Sequence, residues 1–446
     1  MDILIKVGQL VLSLSILIVL HELGHFLPAK WFRTKVEKFY LFFNPWFEVY
    51  KKKIGGTEYG IGWLPLGGYV KIAGMIDESF DTEQMKEPAK PWEFRSKPAW
   101  QRLIIMLGGV TVNFLLGFLI YALSLWTWGE VYLPTQNLVY GVQPDSLGLS
   151  LGLLPGDKVL AVDTITMERF NPNQIKAAIV IHNAANITVE RDGQQVVLPI
   201  SRKQADDLSD YSNKDFDICS PRIPFIIGQF ALNSPAEKAG LLKGDRIISL
   251  DGRPTPFYQD FFDALTSQTL QEHNVQIQVE RQSDGNSPDT LAFSVTTGPD
   301  GKIGAGAVGL ETSRVSYSLV EALPAGVAKG THFLSTQIKA FGQMVTGNLR
   351  MKDSLGSFIT IGSMFPATWD WEAFWQLTAM LSLVLAFINL LPIPALDGGH
   401  VVFLLFEVVT GKKPSDKVME ISTMVGFVIL ISIMVLALGL DISRIL

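Results

Sequence analysis

Hydrophobic and polar positions divide the chain into four long apolar runs separated by mixed segments. The runs cover about residues 4 to 27, 103 to 128, 374 to 394 and 419 to 440, and each is close to the ~20 residues that a helix needs to cross a bilayer. The first run lacks a basic start and a small-residue cleavage site, so we interpret it as a retained helix and not a signal peptide. The pattern predicts a polytopic α-helical membrane protein.

Basic residues beside these runs predict their orientation. They lie after the first run, before the second and before the fourth, at Lys30, Arg33, Lys35, Lys38, Arg95, Lys97, Arg102, Lys412, Lys413 and Lys417. Cytoplasmic loops are enriched in Lys and Arg, so these segments are expected in the cytoplasm. Both termini and the long segment from about 129 to 370 are then expected outside.

Two other segments have a regular pattern. Residues 55 to 72 alternate apolar residues with glycines, among them Gly67 and Gly68, and predict a membrane-associated, re-entrant β-hairpin. An ordinary hairpin on the membrane surface is the alternative. Residues 318 to 347 place apolar side chains at helical spacing and predict an amphipathic helix, either simply packed or lying on the outer membrane face as a regulatory relay.

The long outer segment contains an internal repeat. Ser146 to Asp163 aligns without gaps with Ser234 to Asp251, and both copies contain Gly-Leu-Leu-x-Gly-Asp. Each copy continues to a Val-Glu-Arg strand, followed by a turn at Asp192-Gly193 or Asp284-Gly285. This pattern resembles tandem PDZ domains, which are α+β domains that bind peptides along a strand edge. The repeated Gly-Asp pairs are themselves expected to shape a tight turn.

Composition narrows the class of protein. With 48% hydrophobic and 18% charged residues, the chain fits a membrane protein with sizeable water-exposed parts. Its formal net charge is -6, whereas nucleic-acid-binding proteins carry clusters of basic residues, so no nucleic-acid partner is expected. One cysteine, Cys219, cannot form an intrachain disulfide.

The first apolar run ends in His21-Glu22-Leu23-Gly24-His25, an H-E-x-x-H sequence. On a helix, His21 and His25 share one face and can ligate a single Zn²⁺, which leaves Glu22 beside it as general base. Ionisable residues at bilayer depth are costly, so a functional partner is expected. Hydrogen bonding of a membrane histidine to a neighbouring helix is the ordinary alternative.

A third ligand is expected from Asn389-Leu390-Leu391-Pro392-Ile393-Pro394-Ala395-Leu396-Asp397-Gly398-Gly399-His400. The first and third runs cross the membrane in the same direction, so Asp397 at the cytoplasmic end of the third is expected at the depth of the two histidines. His400 could by its spacing be the ligand instead, but the carboxylate is preferred. Pro392 and Pro394 break the helix and free backbone groups near the metal.

The two motifs, in this order and around a repeat, resemble the site-2 protease family of intramembrane zinc metalloproteases. The resemblance implies that His21, His25 and Asp397 bind zinc and that Glu22 is the catalytic base. It assigns substrate binding to Asn389, Pro392 and Pro394 and to Gly67 and Gly68 of the 55–72 β-loop. Hydrogen bonding between helices is the alternative role of Asn389. The resemblance implies a bacterial inner-membrane enzyme that cleaves the membrane helix of single-pass proteins. The typical substrate is an anti-sigma factor already trimmed by a site-1 protease, and remnant signal peptides are a further substrate class.

We therefore expect five parts: residues 1–128 with two membrane helices and the β-loop, PDZ domains at 129–221 and 222–312, an amphipathic helix and linker at 313–372, and two membrane helices at 373–446. The PDZ pair is expected to restrict substrate access. Membrane lipid is an expected partner. A non-catalytic PDZ scaffold with a structural zinc site is the main alternative, and a metal transporter is a third.

Overall fold

The computed structural model describes residues 2–65, 67–75, 87–213, 216–268, 271–282 and 288–445. The helices, in chain order, are α1 (Asp2–Trp31), α2 (Ala99–Trp128), α3 (Ser146–Ser150), α4 (Pro172–Val180), α5 (Arg202–Ser209), α6 (Pro235–Lys238), α7 (Tyr258–Thr266), α8 (Leu319–Val345), α9 (Met351–Ser354), α10 (Phe358–Met364), α11 (Trp371–Leu390), α12 (Asp397–Thr410) and α13 (Asp416–Ile445).

The strands of the described residues are β1 (Val36–Leu41), β2 (Phe43–Ile54), β3 (Thr57–Leu64), β4 (Tyr69–Ile72), β5 (Glu130–Pro134), β6 (Val142–Pro144), β7 (Lys158–Val162), β8 (Ile165–Thr166), β9 (Arg169–Phe170), β10 (Asn186–Arg191), β11 (Gln194–Pro199), β12 (Cys219–Pro221), β13 (Ile227–Phe230), β14 (Arg246–Leu250), β15 (Arg253–Pro254), β16 (Asn274–Arg281), β17 (Asp289–Thr296), β18 (Ala305–Ala307) and β19 (Ser313–Val315).

The chain forms two compact units. One comprises Met1–Glu130, Ser316–Gly342 and Ser354–Leu446, and the other comprises Val131–Val315 and Gln343–Asp353. In the first unit, four of the described helices are long and apolar enough to cross a membrane, namely α1, α2, α11 and α13. The four predicted apolar runs therefore form helices of membrane-spanning length, and α2 contacts α1, α11 and α12.

The predicted end of the third membrane helix is wrong. The helix α11 stops at Leu390 and not at 394, and the chain begins a separate helix, α12, at Asp397. Pro392 and Pro394 explain the break, because proline lacks the N–H that continues a helix and its ring clashes with the preceding turn. The predicted ligand Asp397 therefore starts a new helix.

A four-stranded sheet also belongs to the first unit, in the order β2-β3-β1-β4. The turn Gly55-Gly56 joins β2 to β3, and both glycines have positive φ, at 57° and 86°. The prediction that residues 55 to 72 form one hairpin is wrong in its pairing, because β1 lies between β3 and β4. The central position of β1 agrees with the burial of Val36 and Tyr40, which are 0% and 1% exposed.

The predicted amphipathic helix is present as α8. Ala322, Gly326 and Gly330 recur every four residues and are its buried positions. A Cβ atom on Gly326 would lie 2.4 Å from the backbone nitrogen of Ala122 in α2, and one on Gly330 would lie 2.5 Å from Phe118. Small residues thus let α8 pack closely on α2, as they do between membrane helices generally.

In the second unit, each copy of the repeat builds its own core. The first copy has the sheet β11-β10-β7-β8 and a core that includes Ile187 and Cys219. The second has the sheet β15-β14-β16-β17 and a separate core that includes Ile277. We call these the first and second repeat domains.

The repeated sequence residues form matching ion pairs. Asp157 accepts two hydrogen bonds from Arg191, at 2.8 and 2.7 Å, and Asp245 accepts two from Arg281, both at 2.7 Å. Each aspartate also caps the turn before it, through the N–H of Leu154 or its counterpart in the second copy. The Gly-Asp and Val-Glu-Arg sequences are therefore linked in space.

The turns of the repeat agree with the sequence pattern where they are described. Gly156 and Gly244 have φ of 99° and 94°, which confirms the two tight turns. Asp192 and Gly193 have φ of 50° and 77°, as a type I′ hairpin turn requires. The other predicted turn, at 284–285, lies outside the described residues.

Candidate metal centre and active site

The two histidines of the H-E-x-x-H sequence meet on one face of α1. The Nε2 atoms of His21 and His25 are 3.2 Å apart, and their rings contact edge to face. The spacing of four residues places them one turn apart, as the sequence predicts. His25 is buried and His21 is partly exposed, so both imidazoles are largely enclosed by protein.

Asp397 brings a third ligand atom to the histidines. Its Oδ2 atom lies 3.3 Å from Nε2 of His21 and 3.3 Å from Nε2 of His25. Nitrogen and oxygen ligands about 2.0–2.1 Å from a tetrahedral zinc ion lie about 3.3 Å from one another. Oδ2 is also buried without a hydrogen-bond partner among the described residues. A buried carboxylate oxygen that faces two imidazoles and has no hydrogen-bond donor is suited to binding a cation.

Glu22 lies beside these ligands and close to the sheet. The backbone N–H of Val70 faces the Glu22 carboxylate. Val70 belongs to β4, one of the two edge strands of the first-unit sheet. Among the described strands, β4 pairs with β1 alone, so its other edge is unpaired.

Contacts behind the ligands orient both imidazoles. Nδ1 of His25 is 2.8 Å from the backbone oxygen of Ile105, to which it donates when Nε2 is free to bind a metal. Nδ1 of His21 is 3.2 Å from the side-chain amide of Asn113. Neither α2 residue was identified in the sequence. The available signal was Asn113 itself, a polar side chain in the middle of an apolar run.

Glycines allow α1 and α2 to approach at the site. A Cβ atom on Gly109 would lie 2.3 Å from Nε2 of His25 and 2.6 Å from Cε1 of His21. One on Gly24 would lie 2.4 Å from the backbone oxygen of Gly108. Gly108 and Gly109 were not identified from the sequence, although adjacent glycines in a membrane helix are a signal of close packing.

The loop before Asp397 is tightly packed. A Cβ atom on Gly399 would lie 2.5 Å from Cα of Pro394, and one on Gly398 would lie 2.2 Å from the backbone oxygen of Leu391. Ala395 has φ of 103°, which is unusual for a residue with a side chain and is typical of strained backbone at functional sites. The two prolines and two glycines of the motif together fix the start of α12.

Asn389 lies at the end of α11. Its side chain is partly exposed and makes no hydrogen bond to any residue that the structure describes. The amide is therefore available to a further ligand.

Gly67 and Gly68 lie in the connection to β4. A Cβ atom on Gly67 would lie 2.6 Å from the ring of Phe43, and one on Gly68 would lie 2.6 Å from both Ile18 and the backbone oxygen of Tyr40. These contacts give both glycines a packing role. They bring the backbone before β4 close to α1.

His400 is not among the three converging ligands. It lines a small cavity together with Arg102 and Glu407, which form a buried ion pair between α2 and α12. Among the described residues, His21, His25 and Asp397 are the one group of three or more candidate ligands that could hold a metal ion. The described residues thus offer three protein ligands and leave a fourth position open.

Comparison with known proteins identifies similar sequences over the whole chain. Residues 9–433 match Peptidase family M50. The regulator of sigma E protease of Haemophilus influenzae is 29% identical over 100% of both chains, and the regulator of sigma-E protease RseP of Escherichia coli is 27% identical over 98% of both. A protein of Neisseria meningitidis, named as a candidate zinc metalloprotease, is 29% identical over 98% of both chains.

Proposed function

This chain belongs to peptidase family M50 and is a zinc metalloprotease, and on that premise we propose that it hydrolyses peptide bonds inside the membrane at the site described above. Three residues hold the zinc ion, namely His21, His25 and Asp397. Glu22 is the general base. The observation that carries this proposal is the convergence of three ligand atoms, from segments far apart in sequence, to within 3.3 Å of one another.

The residues divide the chemistry between them. A bound Zn²⁺ supplies Lewis acidity, which polarises the scissile carbonyl and makes an attacking water more acidic. Glu22 takes the proton from that water and delivers it to the departing amine. The backbone N–H of Val70, which faces the carboxylate, is proposed to hold it in position for both transfers. Three protein ligands leave room for water and substrate, as in other catalytic zinc sites.

The sheet is the proposed means of receiving an unwound substrate. Lys30 donates a hydrogen bond of 2.8 Å to Thr57 at the start of β3, whereas Gly68, before β4, packs against Ile18. Twelve residues of α1 separate Lys30 from Ile18, or about 18 Å of helix. The end of the sheet at the start of β3 therefore lies at the end of α1, and the end before β4 lies beyond the zinc ligands along α1. This arrangement supports a re-entrant position of the sheet.

Two groups could replace the hydrogen bonds that a substrate helix loses on unwinding. Breaking them in hydrocarbon costs several kcal/mol for each freed polar group. The free edge of β4 can pair with an extended strand by β-augmentation. The amide of Asn389 is a second donor and acceptor, close in sequence to the zinc ligand Asp397. Gly67 and Gly68 contribute by keeping the backbone before β4 close to the site.

The proposed substrate is the membrane segment of a single-pass protein. Two of the similar proteins are named regulators of sigma E protease, so we propose an anti-sigma-factor-like protein, first shortened outside the membrane by a site-1 protease. Remnant signal peptides offer the same chemistry, an apolar helix without a large outer domain. The location that fits these substrates is a bacterial inner membrane.

The repeat domains are proposed to be extracytoplasmic PDZ domains that restrict access. Basic residues beside α1 and α2 favour a cytoplasmic position for the loop between them, which supports an outer position for the segment after α2. Two folded domains there exclude substrates that still carry a bulky outer domain. Deleting residues 129–310 should then allow cleavage of an untrimmed substrate. An unchanged preference for trimmed substrate in the deletion variant would contradict this filter.

Cleavage of tagged single-span helices in detergent tests the catalytic proposal. The parent protein should cut at least one helix of a panel. Glu22→Gln should abolish cleavage and keep zinc, because it removes the base and leaves all three ligands. Asp397→Asn should lose both cleavage and most of the zinc. Zinc retained in Asp397→Asn, with no helix cut by the parent, would instead indicate a structural metal.

A further inference from the structure

We infer that Asn113 is a positioning residue that selects the zinc-binding tautomer of His21. This inference rests on the proposed zinc site. The Asn113 side chain is 1% exposed in the centre of α2, and its amide lies 3.2 Å from Nδ1 of His21. Its other polar atom, Oδ1, is buried without a partner among the described residues.

The amide can face His21 in two ways that occupy the same volume. With its nitrogen toward His21, it donates to an unprotonated Nδ1, so the imidazole proton is on Nε2 and points at Asp397, 3.3 Å away. With its oxygen toward His21, it accepts from Nδ1–H, and Nε2 has a free lone pair. Only the second arrangement allows neutral His21 to bind zinc through Nε2.

In the zinc-bound state the amide therefore presents Oδ1 to His21, and the hydrogen bond from Nδ1–H to Oδ1 stabilises that state. The backbone of Asn113 is held in place, because the hydroxyl of Ser382 in α11 donates to its carbonyl oxygen at 2.7 Å. His25 has no such choice, since the backbone oxygen of Ile105 can only accept from its Nδ1. The two ligands thus differ in how their tautomers are set.

The test compares zinc affinity among full-length variants, by competition with a chromophoric chelator. Asn113→Leu has a similar size but no hydrogen bond, and should bind zinc about 10- to 100-fold more weakly. Asn113→Asp presents only acceptor atoms toward Nδ1–H when ionised, and should bind zinc at least as tightly as the parent. Ser124→Ala, a change at another buried polar position of α2, should leave zinc affinity unchanged.

A second readout separates positioning from packing. Nitrogen-15 NMR of labelled histidine should show His21 protonated at Nδ1 in the zinc-loaded parent and in Asn113→Asp. Ser382→Ala removes the backbone contact but not the amide, and should keep parent zinc affinity. If it weakens zinc as much as Asn113→Leu does, helix packing is responsible and the inference is wrong.

The outcomes distinguish this inference from the proposed function. Parent-like zinc affinity in Asn113→Leu would overturn the role of Asn113 and leave the zinc site intact. A parent protein that binds no zinc would overturn both. If Asn113→Leu does not fold, Asn113→Asp decides: a packing role predicts weaker zinc binding from a buried charge, whereas the tautomer role predicts equal or tighter binding.

Discussion

The ion pair between Asp157 and Arg191 makes a quantitative prediction about the first repeat domain. Asp157 is 1% exposed and accepts three hydrogen bonds, two from Arg191 and one from the N–H of Leu154. Asp157→Asn keeps the shape but removes the charge and points an amide N–H₂ at the guanidinium. Breaking a buried pair costs about 3–5 kcal/mol. Because the Arg191 side chain is 26% exposed and can be rehydrated, we expect a loss of about 2–3 kcal/mol.

Cys219 provides the assay. It is the single cysteine of the chain, it is 1% exposed, and it belongs to the core of the first repeat domain. Burial, with a smaller contribution from Asp217, raises the pKa of its thiol to about 12, so the folded domain presents no reactive thiolate near neutral pH. Labelling by a maleimide then requires the domain to open.

The rate of that labelling should rise about 30- to 160-fold in Asp157→Asn, since 1.36 kcal/mol corresponds to one factor of ten. Asp245→Asn makes the same change in the second repeat domain, whose core is separate, and should leave Cys219 labelling at the parent rate. Equal acceleration by the two variants, or none by Asp157→Asn, would refute the assignment of one ion pair to each core.

Three further predictions concern the site, the thiol and α8. Gly109→Ala should lower zinc content sharply, because its Cβ would lie 2.3 Å from Nε2 of His25, whereas Gly439→Ala in α13 meets nothing within 4 Å and should keep it; equal zinc contents would contradict the tight approach. Because the pKa of Cys219 is raised in the folded domain, its contribution to the free energy of unfolding should be constant below pH about 9 and should fall as pH rises toward about 12. Urea unfolding of Cys219→Ala should not show this fall with pH. Gly326→Leu should lower the midpoint of thermal unfolding more than Gly342→Leu, because a Cβ on Gly326 meets α2 at 2.4 Å and one on Gly342 meets nothing within 4 Å; the reverse order would argue against this packing.

The sequence was sufficient for features with a strong local signal. Apolar length identifies the membrane helices, and the repeat identifies two similar domains because its Gly-Asp and Arg residues recur at fixed positions. The spacing of His21 and His25 is a helix-face argument that needs no tertiary information. Asp397 followed from a topological argument about depth, although the element that carries it was assigned incorrectly.

Features that depend on tertiary packing were not predictable in the same way. Strand order is one case: β1 separates β3 from β4, and alternation of glycines and apolar residues does not encode which strand is the neighbour. Asn113 and Gly109 are another, because their roles arise from where α2 crosses α1. A polar or small residue in an apolar run signals that something packs there, but not what.

Zinc K-edge X-ray absorption on the purified full-length protein tests the central claim most directly. The account predicts four nitrogen or oxygen ligands at about 2.0–2.1 Å, of which two are imidazoles, one is a carboxylate and one is a solvent oxygen. Asp397→Asn should weaken or alter this shell, and His400→Ala should leave it unchanged. A shell with three imidazoles, reduced to two in His400→Ala, would contradict an open catalytic site and indicate a closed structural one.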